Sequence, residues 1–151
     1  MKILALDTAT KTGWCLYDKK IIESGTQNFT KRRGESNGLM FLRFRNWLTE
    51  MVTSHKPEML VYEQAHHRGG AATEICVNLT GRVQEIGDEY NLHVANVRTT
   101  TLKLFATGKG NAGKTAMIAV AKNILGRDPI DDNEADAICL ALWADNEYSC
   151  V

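Results

Sequence analysis

The chain has 151 residues and a mass of 16.8 kDa. Of its residues, 44% are apolar, 18 are basic and 18 are acidic. This length fits a single domain, residues 1–151, that can bury a sizeable core. A formal net charge of +0 excludes a uniformly basic or acidic protein, so any nucleic-acid surface must be local. We expect no membrane partner, because no apolar run approaches the roughly 20 residues of a membrane helix. The four cysteines form no CxxC pair, which indicates a reduced, cytoplasmic location.

The hydrophobic pattern predicts three strands, a helix, a strand, a helix, a fifth strand and then helices. This order indicates an α/β sheet that starts with a three-strand meander. The predicted strands are Ile3–Leu6, Trp14–Tyr17, Ile21–Phe29, Met59–Tyr62 and Leu92–Val97. The predicted helices run from Met40 to near His55 and over Thr73–Tyr90, Thr100–Ala106, Lys114–Leu125 and Asn133–Trp143.

Charge is unevenly distributed over the last third of the chain. Residues 91–127 hold six basic residues and no acid, whereas residues 128–151 hold seven acids and no base. One interpretation is two solvated faces that compensate each other. The other is a basic segment that contacts phosphates beside an acidic segment that holds metal.

Three carboxylates attract attention because they end or interrupt apolar elements. Asp7 ends the first strand, Glu63 ends the fourth, and Asp136 lies inside an almost wholly apolar helix. A buried carboxylate needs a partner, a proton or a metal. The plainer alternatives are a turn or cap for Asp7, an ion pair with Arg68 for Glu63, and a salt bridge for Asp136.

The carboxyl ends of parallel strands meet at one edge of a sheet, where ligands gather. A last helix packed across the sheet would bring Asp136 to Asp7 and Glu63. Asp132 lies one turn before Asp136 and could face the same way, although it could also be a helix cap. Several carboxylates in one place suit Mg²⁺ or Mn²⁺, and two such ions about 4 Å apart would clamp a phosphodiester.

Four motifs, in order, resemble those of RuvC-type Holliday junction resolvases, which are RNase H-like nucleases. They are the segments 3–7, 61–64, 107–114 and 134–138, and the resemblance runs from about residue 2 to residue 145. It implies a five-stranded mixed sheet flanked by helices, with an antiparallel second strand. It also implies a homodimer that cuts four-way DNA junctions symmetrically by phosphodiester hydrolysis, with Mg²⁺ or Mn²⁺.

The resemblance also implies roles for individual residues. By motif position, Asp7, Glu63 and Asp136 are metal ligands, and Lys114 lies close to the scissile phosphate. We expect two ions in each site, with Asp132 as the fourth ligand and member of the catalytic set. The family has an acid or histidine at the position of Asn133, so the amide oxygen of Asn133 is the alternative.

DNA contacts are expected from basic loops and from the segment after the fifth strand. Some relatives carry an aromatic wedge after the glutamate, and here His66 lies near that position. The helix that follows this loop forms the dimer interface in the family, although its apolar stripe could equally be core. The candidate DNA-binding residues are Lys31, Arg32, Arg33, His66, Arg68, Arg98, Lys103, Lys109 and Lys114.

The expected function is therefore a metal-dependent, structure-selective endonuclease that resolves Holliday junctions. The compact chain suits a phage or other mobile element, whose product would work in the host cytoplasm. One alternative is an RNase H-like module that binds nucleic acid and cuts weakly or not at all. The other is a P-loop nucleotide-binding protein, because residues 108–115 match GxxxxGK[ST]. The position of this match, late in the chain and after the acidic strand, argues against it.

Overall fold

The computed structural model describes residues 1–66 and 69–149, which form five strands and five helices. The strands are β1 (Ile3–Asp7), β2 (Lys11–Tyr17), β3 (Ile21–Asn28), β4 (Met59–Glu63) and β5 (His93–Val97). The helices are α1 (Asn37–His55), α2 (Ala71–Glu89), α3 (Thr99–Thr107), α4 (Lys114–Leu125) and α5 (Asp132–Tyr148). The predicted order of elements is confirmed. The largest differences are a longer β2, which begins at Lys11, and α5, which continues to Tyr148.

The strands form a single mixed sheet in the order β3-β2-β1-β4-β5. β2 is antiparallel to both β1 and β3, which makes the predicted meander, while β4 and β5 run parallel to β1. The carboxyl ends of β1, β3, β4 and β5 therefore lie along one edge of the sheet. We call this the carboxyl edge.

Both faces of the sheet are covered by helices, and the alternation along β1 shows how. Leu4 and Leu6 pack with residues of α1 and α2, whereas Ile3 and Ala5 pack with residues of α3, α4 and α5. Since side chains alternate along a strand, Asp7 shares the face of Ile3 and Ala5. By the same alternation, Glu63 follows Met59 and Val61 on the face that α5 covers.

Helix α5 lies directly on the sheet because Gly13 has no side chain. A Cβ at Gly13 would stand 1.8 Å from the carbonyl oxygen of Asn133. Gly13 is also the register partner of Asp7 across β1 and β2. This close approach therefore brings the first turns of α5 beside the end of β1.

The start of α5 is fixed by its capping residue, Asp131. The Asp131 carboxylate accepts hydrogen bonds from the Glu134 backbone N–H at 2.9 Å and from the Thr26 hydroxyl of β3 at 2.7 Å. The first bond satisfies a backbone donor that the helix leaves without a partner. The second ties the helix start to the edge strand of the meander.

The P-loop interpretation of residues 108–115 is wrong. A P-loop connects a strand to a helix, but this segment connects the end of α3 to the start of α4. Gly108 takes a left-handed conformation and caps α3, so the segment begins as a helix terminus. Among the helices of the described residues, none is long and apolar enough to cross a membrane.

Replacing Gly13 by Ala should push α5 away from β2. We expect Gly13→Ala to lower the free energy of unfolding by about 1–3 kcal/mol, as overpacking of a tight core does. Gly81→Ala in α2 is the control, because nothing lies within 4 Å of the added methyl group. That change should stabilise the chain by about 0.5–1 kcal/mol through helix propensity. Urea unfolding measures both, and equal stability of the two variants would contradict the close approach.

Candidate metal centre

Three carboxylates from three separate elements converge at the carboxyl edge. Asp7 ends β1, Glu63 ends β4, and Asp136 projects from the second turn of α5. One carboxylate oxygen from each lies within 4.8 Å of those of the other two. The three residues are half-buried, so the cluster is partly accessible to solvent.

A cavity of about 280 Å³ opens over this cluster. Its walls come from the ends of β1 and β4, the loop after β4, the helix α2, and the first turns of α3, α4 and α5. The residues that line it are Asp7, Thr8, Glu63, Gln64, Ala65, His66, Cys76, Thr99, Lys103, Lys114, Met117, Asn133 and Asp136. Polar and charged side chains dominate, and two of them are lysines that face the acidic cluster.

The cluster strongly disfavours the charged state of Asp7. Burial is the main cause that raises the pKa of Asp7 well above its usual value. Neighbouring carboxylates raise the pKa further, in the order Asp136, Glu63, Asp132 and Asp131. Without a cation, the site therefore favours a proton on Asp7.

Asp136 is perturbed in the same direction. Burial, then the carboxylates of Glu63 and Asp132, raise the pKa of Asp136 to about 7. The ammonium groups of Lys103 and Lys114 oppose that rise. Both lysines are therefore close enough to be part of the electrostatics of the site.

The structure places Asn133, and not Asp132, on the wall of the cavity. Asn133 precedes Asp136 by three residues, so the two share a face of α5. Asp132 instead pairs with Lys114, whose Nζ lies 3.3 Å from Asp132 Oδ2. Asp132 still acts on the cluster through its charge, since it raises the pKa of both Asp7 and Asp136. Its role as a metal ligand stays a prediction.

The candidate DNA-binding residues lie around the same edge of the sheet. Lys31, Arg32 and Arg33 are exposed in the loop after β3, and Arg98 is exposed directly after β5. These strands are the two outer strands, separated by four strand spacings or about 19 Å. Exposed Lys109 lies between α3 and α4. Basic residues thus stand on both sides of the acidic cluster.

Ion pairs join the basic segment to the acidic one. Among the described residues, Lys114, Lys122 and Arg127 pair with Asp132, Asp128 and Glu134, respectively. The basic and acidic segments therefore do compensate each other's charge in part, through these three ion pairs. Even so, the Lys114 side chain is 82% exposed and remains on the cavity wall.

The loop after β4 carries two further candidates. His66 is exposed, lines the cavity, and has its Nε2 3.0 Å from the hydroxyl of Thr99. Arg68 lies outside the described residues, as does the suggested ion pair between Arg68 and Glu63. The apolar stripe of the following helix is core at Leu79, Val83 and Ile86, all of which are buried under the sheet.

Sequence reasoning missed Glu134, which is fully buried and paired with Arg127 at 2.9 Å. The argument that singled out Asp136 applies equally to Glu134, because both acids lie in the same apolar helix. Burial, and then the charge of Glu134, raises the pKa of the Cys15 thiol in β2 to about 12. The pairing of Glu134 with Arg127 holds the segment before α5 against the helix.

Thr99 and Gly13 were also missed, for a different reason. The Thr99 hydroxyl donates a hydrogen bond to Glu63 Oε1, although Thr99 looks like its neighbours Thr100 and Thr101 in the sequence. Gly13 matters only because α5 crosses it. Both roles depend on contacts between segments that are distant in the sequence, so no local sequence pattern reveals them.

The donor set fits a hard divalent cation. Mg²⁺ binds oxygen at 2.0–2.1 Å, so two donors on opposite sides of one ion are about 4.2 Å apart. One oxygen from each of the three carboxylates lies within 4.8 Å of the others, so a small movement would bring them to coordination distance. The raised pKa values of Asp7 and Asp136 also favour cation binding. A bound cation would offset the repulsion between carboxylates that contributes to both shifts.

No protein-family model matches the chain. The crossover junction endodeoxyribonuclease RuvC of Rickettsia prowazekii is 26% identical over 160 aligned positions, covering 100% of this chain and 97% of its own. RuvC of Thermus thermophilus, solved in complex with Holliday junction substrate, superposes with a TM-score of 0.81 at 20% identity. That match covers 94% of this chain and 91% of the other.

A viral protein has a similar architecture. The fowlpox virus resolvase, solved with Holliday junction DNA, gives a TM-score of 0.66 at 15% identity and covers 97% of this chain and 98% of its own. The fold is RNase H-like, which confirms the predicted fold class, and its acidic cluster is a candidate metal centre. More particularly, the chain is homologous to the RuvC crossover junction endodeoxyribonucleases over nearly all of its length.

The metal-free cluster should cost the fold stability at neutral pH. The folded-state pKa of Asp136, about 7, lies above the ordinary value of 3.8. The folded chain therefore holds this proton more tightly than the unfolded chain, and stability falls as the pH rises from about 4 to about 7. In chelator at pH 8, we expect Asp136→Asn to raise the free energy of unfolding by about 1–3 kcal/mol.

Urea unfolding of wild type and variant between pH 4 and pH 8 measures the effect. Asp88→Asn, on the exposed end of α2, is the control for the same change of side chain and should follow wild type at every pH. An Asp136→Asn variant with no gain at pH 8 would show that the cluster does not carry this repulsion.

Proposed function

We propose that this chain is a metal-dependent endonuclease that cleaves branched DNA and resolves four-way junctions. The observation that carries the proposal is the convergence of Asp7, Glu63 and Asp136 in a chain homologous to RuvC over nearly all of its length. The relatives are crossover junction endodeoxyribonucleases, which gives branched DNA as the substrate class. The three carboxylates would hold the metal ions that phosphodiester hydrolysis uses. A module that only binds nucleic acid would have no use for three mutually repelling carboxylates.

Asp7, Glu63 and Asp136 would hold Mg²⁺ or Mn²⁺, and we expect two ions in each site. When bound, the ions would activate a water molecule and stabilise the leaving 3′ oxygen of the phosphodiester. The chain's own part is to keep three acids together on rigid elements. Two of them end central strands, and the third is fixed by the contact of α5 with Gly13.

Asn133 is the better candidate for the fourth oxygen ligand, with Asp132 as a charged neighbour. Asn133 lines the cavity one turn before Asp136, and its amide oxygen is a suitable donor for a hard cation. Asp132 holds Lys114 beside the site by an ion pair. This arrangement would orient the ammonium group of Lys114 toward the phosphate that the cavity receives.

Lys114 and Lys103 would neutralise charge at the scissile phosphate. Both line the cavity, and both lower the pKa of Asp136. Preorganised cations of this kind stabilise charge that develops in the transition state. Phosphate groups farther along the arms would contact Lys109, Arg98 and the loop 31–33, which surround the carboxyl edge.

Specificity would come from DNA shape, because backbone contacts position a protein without reading sequence. His66, on the rim of the cavity, would stack on a base at the junction centre. The candidate basic residues lie around the carboxyl edge, so binding by a chain of zero net charge would be confined to that edge.

A homodimer follows from the chemistry of resolution. Cutting two opposed strands symmetrically requires two active sites, and the described residues of one chain contain one cluster of three acids. Two copies related by a two-fold axis would supply both sites.

Residues 1–151 would act as one nuclease domain in this assembly. Free thiols at Cys15, Cys76 and Cys139 agree with work in a reducing cytoplasm, and the phage origin stays a prediction.

Cleavage of a labelled four-way junction, beside a linear duplex of equal length, tests the proposal. We expect nicks in opposed strands of the junction with Mg²⁺ or Mn²⁺ and none in chelator. Glu63→Gln should lower the rate by about 100-fold or more while junction binding in chelator is kept. Glu23→Gln, the same change on exposed β3 residue 23, should cut as wild type does.

The outcomes separate the alternatives. Binding of the junction without cleavage in either metal would favour the recognition module. Cleavage by Glu63→Gln at the wild-type rate would show that the acidic cluster is not the metal site.

The fourth ligand can be tested by changing charge at two adjacent positions. Asn133→Asp adds a carboxylate to the cavity, so we expect Mn²⁺ to bind roughly 10-fold more tightly. Asp132→Asn should change the affinity by less than about threefold, because its charge acts from outside the cavity through solvent. Calorimetric titration of the DNA-free protein measures both. The reverse order of effects would assign the ligand role to Asp132.

A further inference from the structure

Thr99 is the first residue of α3 and makes two hydrogen bonds that the proposed chemistry has not used. Its hydroxyl donates to Glu63 Oε1, and the same oxygen lies 3.0 Å from His66 Nε2. Thr99 is half-buried and lines the cavity. It therefore touches both a candidate metal ligand and the loop expected to meet DNA.

The sheet itself brings Thr99 to this position. Glu63 and Val97 are register partners at the ends of β4 and β5, and the Gln64 backbone N–H donates to the Val97 carbonyl at 2.8 Å. The chain that leaves β5 thus passes directly beside the end of β4. Two residues later, it places the Thr99 side chain against the Glu63 carboxylate.

Counting protons fixes the direction of both bonds. A metal-binding carboxylate is ionised and can only accept, so the one hydroxyl proton of Thr99 goes to Glu63. The Thr99 oxygen then has only lone pairs to offer His66. His66 must therefore carry a proton on Nε2 and donate it to Thr99.

The geometry points to Thr99 as a positioning residue that aims the Glu63 carboxylate at the metal centre and ties His66 to it. This inference rests on the proposed function of the same site. The hydrogen bond uses one lone pair of Oε1 and leaves the other three of the carboxylate for cations. Glu63 is thereby held in one orientation before metal arrives, and the loop after β4 shares that anchor.

The test compares Thr99→Val, which keeps the shape and removes the hydroxyl, with Thr99→Ser, which restores it. Thr101→Val, at an exposed position of the same helix, is the matched control. Binding of Mn²⁺ to the DNA-free, full-length protein is measured by calorimetry. Partners of ligating carboxylates are worth 10–100-fold in metal affinity, so we expect about that loss in Thr99→Val.

Thr99→Ser and Thr101→Val should bind Mn²⁺ as wild type does. Nitrogen NMR supplies a readout that does not involve metal. The Nε2 signal of His66, assigned by its absence in His66→Gln, should be that of a protonated nitrogen. It should shift in Thr99→Val and return in Thr99→Ser.

Wild-type Mn²⁺ affinity in Thr99→Val would overturn the inference alone. Equal losses in Thr99→Val and Thr99→Ser would overturn it too, because the hydroxyl would then not be the active group. If Thr99→Val does not fold, Thr99→Ala takes its place in the same comparison. A wild-type chain that neither binds Mn²⁺ nor cuts junctions would overturn both the proposed function and this inference.

Discussion

The constraint on which the structure depends is the repulsion between carboxylates that the fold forces together. Asp7, Glu63 and Asp136 occupy a half-buried edge where water cannot fully screen them, and the raised pKa of Asp7 and Asp136 expresses the cost. The fold keeps the three acids together, in spite of their repulsion, because each is fixed to a rigid element. Two acids end neighbouring strands in the middle of the sheet, and α5 presses the third against them across Gly13. A divalent cation would turn the same repulsion into binding energy.

The two faces of the sheet have different tasks. The face under α1 and α2 packs an apolar core, which includes the apolar stripe of α2 that could have been an interface. The face under α3, α4 and α5 continues from apolar core into the acidic cluster at the carboxyl edge. Chemistry thus stands at the border of a packed core, where side chains are held in place yet remain within reach of a substrate.

Charge pairing makes the basic surface more selective than its composition indicates. Lys122 and Arg127 are occupied by acids of the neighbouring segment, and Glu134 would be a buried unpaired charge without Arg127. These pairs fix the approach to α5. Lys114 pairs with Asp132 but still lines the cavity beside Lys103, and both lysines oppose the rise in the pKa of Asp136. A chain of zero net charge can in this way present a local site for phosphates.

The sequence by itself determined the order of elements, the meander, and the three acids, because apolar runs and the charges that interrupt them are local signals. Asp136 was recognisable since an acid in an apolar helix needs a reason to be there. Only the tertiary structure decided that Asn133 faces the cavity while Asp132 turns to Lys114, since adjacent residues on a helix point about 100° apart. Thr99 and Gly13 acquired their roles only when β5 and α5 came to rest beside Glu63 and Asp7. Contacts between distant segments produce no periodic pattern in a sequence. The contacts of Thr99 with Glu63 and of α5 with Gly13 are of this kind.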